Sequence, residues 1–412
     1  MEVIYQCCAG LDVHKETVEV NVRRREEGGK LHSELRRFRT FTRDLLELSD
    51  WLAEQGVTHV AMESTGVFWK PIYNILEGRF EVLLVNARHI KHVPGRKTDV
   101  LDCQWLAQLL QCGLLKASFV PPREIRDLRD LTRHRAQLIA EKTRTANRMH
   151  KILEDTNIKL GAVATDILGV SGRAMLQQLI AGEDDPVKLS EQARGRLKQK
   201  KPELELALQG KVSEHHRFML KLLWDQLLQL ETLIQRLEER IEQQMAPFEE
   251  AVTRLDEIPG IDRRVAQVIA AEIGLNMGQF PSDHHLSSWA GMCSGNNESA
   301  GKRKSGKTTP GSRWLKQALV QAAWAASHTK HSYFAAQYSR LARRRGRKRA
   351  LVAVGHSILV VVYHLLQGPE HYQDLGANYF DLRDQQHVTK YLVKRLESLG
   401  HKVTLEPCHQ AA

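Results

Sequence analysis

The sequence predicts an α/β domain at the N-terminus, a mixed sheet flanked by helices, with a mainly helical remainder beyond it. Three observations predict this. Short apolar runs alternate with helical patterns through roughly the first 120 residues, several of the runs with a period of two. Helical periodicity alone follows Pro121, and basic residues then gather in one acid-free stretch. Taken in order, Val3–Leu11 is apolar and ends on Asp12. Thr17–Arg23 sets Val18, Val20 and Val22 between polar residues, as a half-buried strand requires. Glu26-Glu27-Gly28-Gly29 supplies a turn, and Leu31–Phe38 returns as a third strand. A helix follows, with Thr42 as its N-cap and Leu45, Leu46, Leu48, Trp51 and Leu52 as its apolar face. His59–Met62 is a strand ending on Glu63. A helix near Trp69–Glu77 tolerates Pro71 in its first turn. Phe80–Val85 is a further strand, and Thr98 caps a helix running through Gln111.

A three-strand meander followed by alternating helix and strand suits a mixed sheet, and it is the element order of an RNase H-like (RuvC-like) fold. Beyond it, Arg123–Ile158 reads as one or two strongly basic helices, and Asp184–Gly210 as a polar loop-and-helix connector. Leu220, Leu223, Leu227, Leu230, Ile234, Leu237 and Ile241 recur at alternating spacings of three and four. That heptad seam predicts a two-stranded coiled coil between chains; a helical hairpin packed on the basic helices would give the same pattern. Leu255–Gly274 resembles a helix-hairpin-helix element, whose Pro259-Gly260 turn can bring backbone amides to a phosphate. Ala350–Leu366, interrupted by His356, Ser357 and His364, is short for a bilayer span and predicts a buried helix. The expected divisions are 1–120, an α/β catalytic domain; 121–250, basic helices and coiled coil; 251–345, a second functional domain; and 346–412, a terminal helix and tail.

A hydrophobic share of 42% in 412 residues supports real cores and argues against wholesale disorder. Six cysteines form no C-x-x-C pair, which removes zinc ribbons and disulfide frameworks and leaves reduced cysteines. The start of the chain has no basic segment followed by a long apolar one, so it predicts a cytoplasmic protein with no membrane partner. Net charge is +11, and it is localised. Ser299 to Pro369 holds no Asp or Glu but 14 Lys or Arg, so the rest of the chain is slightly acidic. A solvated surface mixes both signs; this segment predicts a polyanionic partner, with Lys302, Arg303, Lys304, Lys307, Arg313, Arg343, Arg344 and Arg345 as candidate nucleic-acid contacts.

Four carboxylates carry the chemistry. Asp12 and Glu63 end strands, and Asp99 and Asp102, three apart, share a helix face. Hard divalent cations need clustered oxygen ligands from rigid elements, and phosphoryl transfer uses such ions to activate one oxygen and stabilise another. Lys15, Arg88, Lys91, Arg96 and Lys97 lie near them in sequence, the mixture of signs a nuclease-type centre uses.

The motifs are more specific still. G-L-D-V-H-K at Gly10–Lys15, M-E-S-T-G at Met62–Gly66, V-N-A-R-H-I-K at Val85–Lys91 and K-T-D-V-L-D at Lys97–Asp102 resemble the DEDD-type transposases of the insertion-sequence "one-ten" family. So do I-P-G-I at Ile258–Ile261, W-A-G at Trp289–Gly291, N-N-E-S-A-G-K at Asn296–Lys302 and G-S-R-W-L-K-Q-A-L at Gly311–Leu319. The resemblance implies a RuvC-like domain whose site is Asp12, Glu63, Asp99 and Asp102, holding Mg²⁺ or Mn²⁺. It implies a coiled-coil region and a C-terminal transposase domain with a nucleophilic serine. It implies donor and target DNA as substrates, a noncoding bridge RNA as guide, and dimers assembling to a tetramer in a prokaryotic, nucleoid-associated setting. Ser299, followed by Ala300-Gly301-Lys302, is the better match for the serine. Ser305-Gly306 is the alternative, because many members have Ser followed directly by Gly. Two other functions are compatible with the acids alone: a junction-resolvase-like nuclease using water, and a non-catalytic nucleic-acid-binding protein.

Overall fold

The computed structural model describes residues 3–26, 30–64, 66–86, 101–295 and 297–405, and at 297–299, 303 and 304 the backbone alone. The chain divides into two units, Met1–Val120 and Pro121–Ala412.

The first unit is a five-stranded mixed sheet. Strands β1 (Cys7–Val13), β2 (Thr17–Arg25) and β3 (Leu31–Arg39) form an antiparallel meander. Strands β4 (His59–Glu63) and β5 (Glu81–Val85) extend it in parallel on the other side of β1, giving the order β3-β2-β1-β4-β5. Because side chains alternate across a strand, the sheet has two faces with two cores. Odd residues of β1 (Cys7, Ala9, Leu11, Val13) join Val18, Val20, Val22, Val60 and Met62 in a large core. It is closed by Leu45, Leu48, Trp51 and Leu52 of α1 (Thr42–Glu54) and Ile72 and Leu76 of α2 (Trp69–Leu76). Cys8, Ala61 and Val85 face the other way, against Trp105, Leu106, Leu109 and Leu110 of α3 (Asp102–Gln111).

Two predicted helix starts move. Phe41, extended and without a side-chain cap, precedes α1, and Thr42 is its first helical residue. Upstream, Thr40 is anchored on the β1–β2 turn, its amide donating to Glu16 O and its hydroxyl to Lys15 O at 2.8 Å. Helix α3 is described from Asp102, with Leu101 in the N-cap position. Thr98 and Asp99 lie outside the described residues.

The second unit is almost wholly helical. Its long helices are α4 (Arg123–Asp155) and α6 (Glu214–Met245), with α5 (Val170–Ala181) and short helical segments at Pro186–Ser190 and Lys201–Ala207 between them. The predicted connector is therefore part of a core: Leu189, Leu204 and Leu208 are buried with Met149 and Leu153 of α4 and Leu220, Trp224 and Leu227 of α6. The heptad seam also resolves differently from the expected coiled coil. Leu220, Leu223, Leu227, Leu230, Ile234 and Ile241 are buried within this one chain, and α6 lies along α4. Helical periodicity reports that a stripe is buried, not whose helix buries it. Here the helical-hairpin explanation holds, and the same stripe is not free to zip onto a second chain.

Helices α7 (Glu249–Asp256) and α8 (Arg263–Ile273) flank the Pro259-Gly260 turn. Gly260 has φ 88°, and a Cβ there would stand 2.2 Å from Ala322 O, so that face of the turn packs on a helix backbone. Helix α9 (Asp283–Trp289), a hairpin of β6 (Asn297–Ser299) and β7 (Lys302–Ser305), and helices α10 (Arg313–Ala326), α11 (Tyr333–Arg345) and α12 (Arg347–Gln367) follow, then α13 (Gln385–Ser398) near the end. Helix α12 is, by length and composition, apolar and long enough to cross a membrane, so the argument from shortness fails. Packing decides instead: Ala350, Val354, Ile358, Leu359 and Val362 are buried in this unit, which makes α12 a core helix.

At Gly10 the backbone of α3 meets the backbone of β1. A Cβ there would stand 2.2 Å from Cys103 O and 2.4 Å from Ala107 N, both backbone atoms that cannot rotate away. Gly10→Ala is expected to lift α3 from the sheet and cost about 2 kcal/mol or more, the range for overpacking against an unyielding backbone. Urea unfolding of the variant checks it; a midpoint equal to the parent's would show that the contact tolerates a methyl group.

Candidate active site

The acids collect on the α3 face of the sheet. Gly10 and Asp12 point to the same side of β1, since they are two residues apart, and Gly10 is where α3 touches it. In the parallel register Leu11 pairs with Met62, so Asp12 and Glu63 are the next residues on neighbouring strands. Glu63 shares the face of Ala61, which packs against α3. Asp102 is the first residue of that helix, where a carboxylate is favoured by the helix dipole. Three of the four predicted acids thus converge on one end of one face. Asp99 lies outside the described residues, as do Arg88, Lys91, Arg96 and Lys97.

Electrostatics marks the same place. Burial raises the Asp12 carboxyl above its ordinary range, and the charges of Asp102 and Glu19 raise it further. His14, whose Nε2 lies 3.3 Å from Asp12 Oδ2, opposes the rise. The folded state therefore holds the Asp12 proton more tightly than the unfolded one, and stability falls as pH rises through that raised value. A bound cation would relieve this cost, and carboxylate oxygens are the donors that hard divalent ions take. Among the described residues no three Asp, Glu, His or Cys side chains stand close enough to hold a metal. The donor chemistry fits a divalent ion, with Asp99 still to be added.

Two residues here were not among the predicted site residues: Glu19, which faces Asp12 directly across the antiparallel pair, and His14 of the G-L-D-V-H-K motif, which contacts Asp12. The signal for Glu19 was present: it alternates with Val18, Val20 and Val22, which places it on the acid side of β2. The register that brings it opposite Asp12 needs the length of the turn between the strands.

The second candidate element is a hairpin arm. Its ladder starts at Cys293–Thr309, passes through Ser294–Thr308 and Gly295–Lys307, and ends with Ser299 paired to Lys302. Ala300 (φ 51°) and Gly301 (φ 72°) form the two-residue turn, so Ser299 is the last strand residue before the tip. Positive φ at both turn positions is the geometry of a type I′ hairpin, in which glycine at the second position is favoured. The side chains of Ser299, Arg303 and Lys304 lie outside what the structure describes. Lys302 and Lys307 are exposed, and Ser305 Oγ accepts the Lys307 amide at 3.2 Å.

The arm's base explains two motifs. A Cβ on Gly291 would stand 2.6 Å from Thr309 O, and one on Gly311 would stand 2.3 Å from Ala290 C. The two glycines let the entering and leaving chains touch backbone to backbone. Lys316 braces the junction by donating to Gly291 O and Thr308 Oγ1. Ser312 caps α10 by accepting from Leu315 N, and its hydroxyl donates to Glu272 at 2.9 Å. Glu272 is fully buried and accepts from Arg133 Nε and Nη2, at 2.7 and 2.9 Å. Arg313, Arg343, Arg344 and Arg345 are exposed, the last three closing α11 beside Gly346.

Two family models match the chain. A DEDD-type transposase model matches residues 9–158, which contain all four predicted acids. A second, the Transposase IS116/IS110/IS902 family, matches residues 252–339, which contain the arm and both candidate serines. No individual curated protein matches the chain. The two matches together take in more than half of the sequence, in the order its motifs predict, and the chain belongs to the IS110 family of insertion-sequence transposases.

Proposed function

We propose that this transposase cuts, exchanges and rejoins DNA strands by metal-dependent phosphoryl transfer with a serine nucleophile. The acids Asp12, Glu63, Asp99 and Asp102 hold divalent metal, Mg²⁺ or Mn²⁺, and Ser299 is the nucleophile. The observation that carries the first half is the convergence of Asp12, Glu63 and Asp102 on one sheet face, with the Asp12 carboxyl raised by burial and then by the charges of Asp102 and Glu19. Bound there, a divalent ion supplies Lewis acidity and neutralises charge on the reacting phosphate.

The serine step conserves the phosphodiester. The Ser299 hydroxyl loses its proton, its oxygen bonds to phosphorus, one bond from phosphorus to a deoxyribose oxygen breaks, and the departing oxygen takes a proton. The reverse step on another strand rejoins DNA without an external energy source. Lys302, Arg303, Lys304, Lys307 and Arg313 carry the charge to hold the phosphate. Two features favour Ser299 over Ser305: it closes the strand next to the exposed tip, and the Ser305 hydroxyl is engaged by the Lys307 amide. Guidance by an element-encoded bridge RNA, assembly of dimers into a tetramer, and the four-part domain division extend the reading by family resemblance. The acid-free segment supports a polyanionic partner. With the heptad stripe buried inside the chain, an oligomer has to form through other surfaces.

Three outcomes follow. Asp12→Asn and Asp102→Asn should each lower strand exchange by roughly a thousandfold, the loss of several kcal/mol of charge stabilisation. The same substitutions should remove the rise in melting temperature that Mg²⁺ or Mn²⁺ gives the parent. Variants with unchanged activity and unchanged metal response would make the acids structural.

A DNA–protein adduct resistant to denaturing electrophoresis should form with the parent and with Ser305→Ala, and disappear with Ser299→Ala. Adduct surviving Ser299→Ala but lost in Ser305→Ala would reassign the nucleophile. Strand cleavage with no adduct in any variant would favour the water-using nuclease.

Ala300 is held at a positive φ that costs an L-residue about 1 kcal/mol or more. Ala300→Gly should relieve that cost and slow amide exchange across the hairpin, with the adduct still formed. Faster exchange would mean that the turn is not strained.

A further inference from the structure

Helix α10 has an unusual solvent face. Leu315, Ala318, Leu319, Ala322, Ala323 and Ala326 bury one side of it. The opposite side carries Trp314, Gln317, Gln321 and Trp324, and His328 continues the line just past the helix end, at spacings of three and four. Trp324 is 60% exposed, which is rare for the largest apolar side chain. Its ring stands 4.6 Å from that of His328, and the Arg313 guanidinium lies 4.6 Å over the ring of Trp314. Trp314, Gln317 and Gln321 also line a shallow cleft against Thr132 and Val268.

We propose that this face is a stacking platform for unpaired nucleobases. The inference rests on the reading that the chain handles nucleic acid, and it names which part of the polymer this surface takes. Aromatic faces stack on any base, and amide side chains donate to and accept from base edges. A duplex hides its base faces and offers phosphates. This stripe offers an exposed indole at Trp324, a half-buried one at Trp314 and two amides, with Arg313 over Trp314 and Arg133 in the same cleft, so it suits a strand whose bases are splayed out. The ten helical steps from Trp314 to Trp324 span about 15 Å. No acid occurs between Ser299 and Pro369, so nothing on this stretch of chain repels the strand's backbone. An exposed indole also suits a protein contact; the absence of any Asp or Glu from Ser299 to Pro369 favours a polyanion instead.

The test is fluorescence anisotropy of the full chain with labelled (dT)20, (rU)20 and a 20-base-pair duplex, in EDTA so that no metal-dependent step contributes. Trp324→Ala should weaken binding to the single strands roughly five- to a hundredfold, the range for loss of one stacked base. Duplex affinity and the salt dependence of single-strand binding should stay as in the parent, because no phosphate contact is removed. Trp324→Phe should recover most of the loss, and Gln321→Ala should weaken the single strands alone. Selectivity between (dT)20 and (rU)20 would tell DNA from RNA as the strand bound. Equal loss on duplex and single strand, or no loss on either, would overturn the platform while leaving the nucleic-acid reading intact. A parent chain that bound none of the three probes would overturn that broader reading. A change in sedimentation rate of Trp324→Ala with unchanged single-strand affinity would make the face a protein contact and overturn the proposal.

Discussion

The acidic end of the N-terminal unit depends on one missing side chain. Gly10 lets the backbone of α3 rest on the backbone of β1, closer than any other residue would allow. Everything on that face is scaled to the approach. The sheet contributes small residues, Cys8 and Ala61, while the helix supplies the bulk through Trp105, Leu106, Leu109 and Leu110. Two residues beyond Gly10, Asp12 inherits the same direction and meets the start of the helix. The glycine and the aspartate of G-L-D are therefore one device: the first sets the height of the helix above the sheet, and the second uses that height.

The second unit is organised by a buried carboxylate. Glu272 on α8 takes Arg133 of α4 and the Ser312 hydroxyl that caps α10, while Arg129 donates to its backbone carbonyl and to that of Ala271. Burial pulls Arg129 down to about 10, which still leaves it charged at neutral pH. A buried ion pair adds little net stability when complete, yet loss of one partner is costly because the other charge is left stranded in a poor solvent. Such a cluster fixes geometry more than it adds energy. The geometry it fixes is the start of α10, and so the base of the hairpin arm that carries Ser299.

The fold of the first unit was largely legible because its signals are local. Alternation of Val18, Val20 and Val22 and the acids at the ends of β1 and β4, Asp12 next to last and Glu63 last, each follow from a few neighbouring residues. The predicted turn at Glu26–Gly29 lies largely outside the described residues. The motif glycines were legible as motifs but not as physics: only the folded chain shows that Gly10, Gly291 and Gly311 mark backbone contacts. The stripe on α6 was legible as buried but not as intramolecular, since a heptad looks the same whether its partner is α4 or another chain. Glu19 was overlooked because its meaning lies in a cross-strand register. The length of α12 misled in another way, since composition cannot separate a lipid-facing helix from one enclosed by its own domain.

The same distinction between amount and location governs the charge. Arginines are dense along α4, but much of that density is spent inside the fold. Arg133 is committed to Glu272, Arg135 is buried on Gln267, and Arg129 donates to the backbone carbonyls of Ala271 and Glu272. Such residues release no counterions when a polyanion approaches, because they carry no free field to neutralise. The six cations from Arg343 to Arg349 are different. They surround Gly346 between two helices, all are exposed, and none forms an ion pair among the described residues. Three of them occupy the first turn of α12, where the helix dipole disfavours positive charge and no acid offsets it. A net charge of +11 therefore understates the attraction available to a phosphate backbone at that corner and overstates it along α4. Affinity for nucleic acid follows the unspent charge, and in this chain that charge lies after the arm.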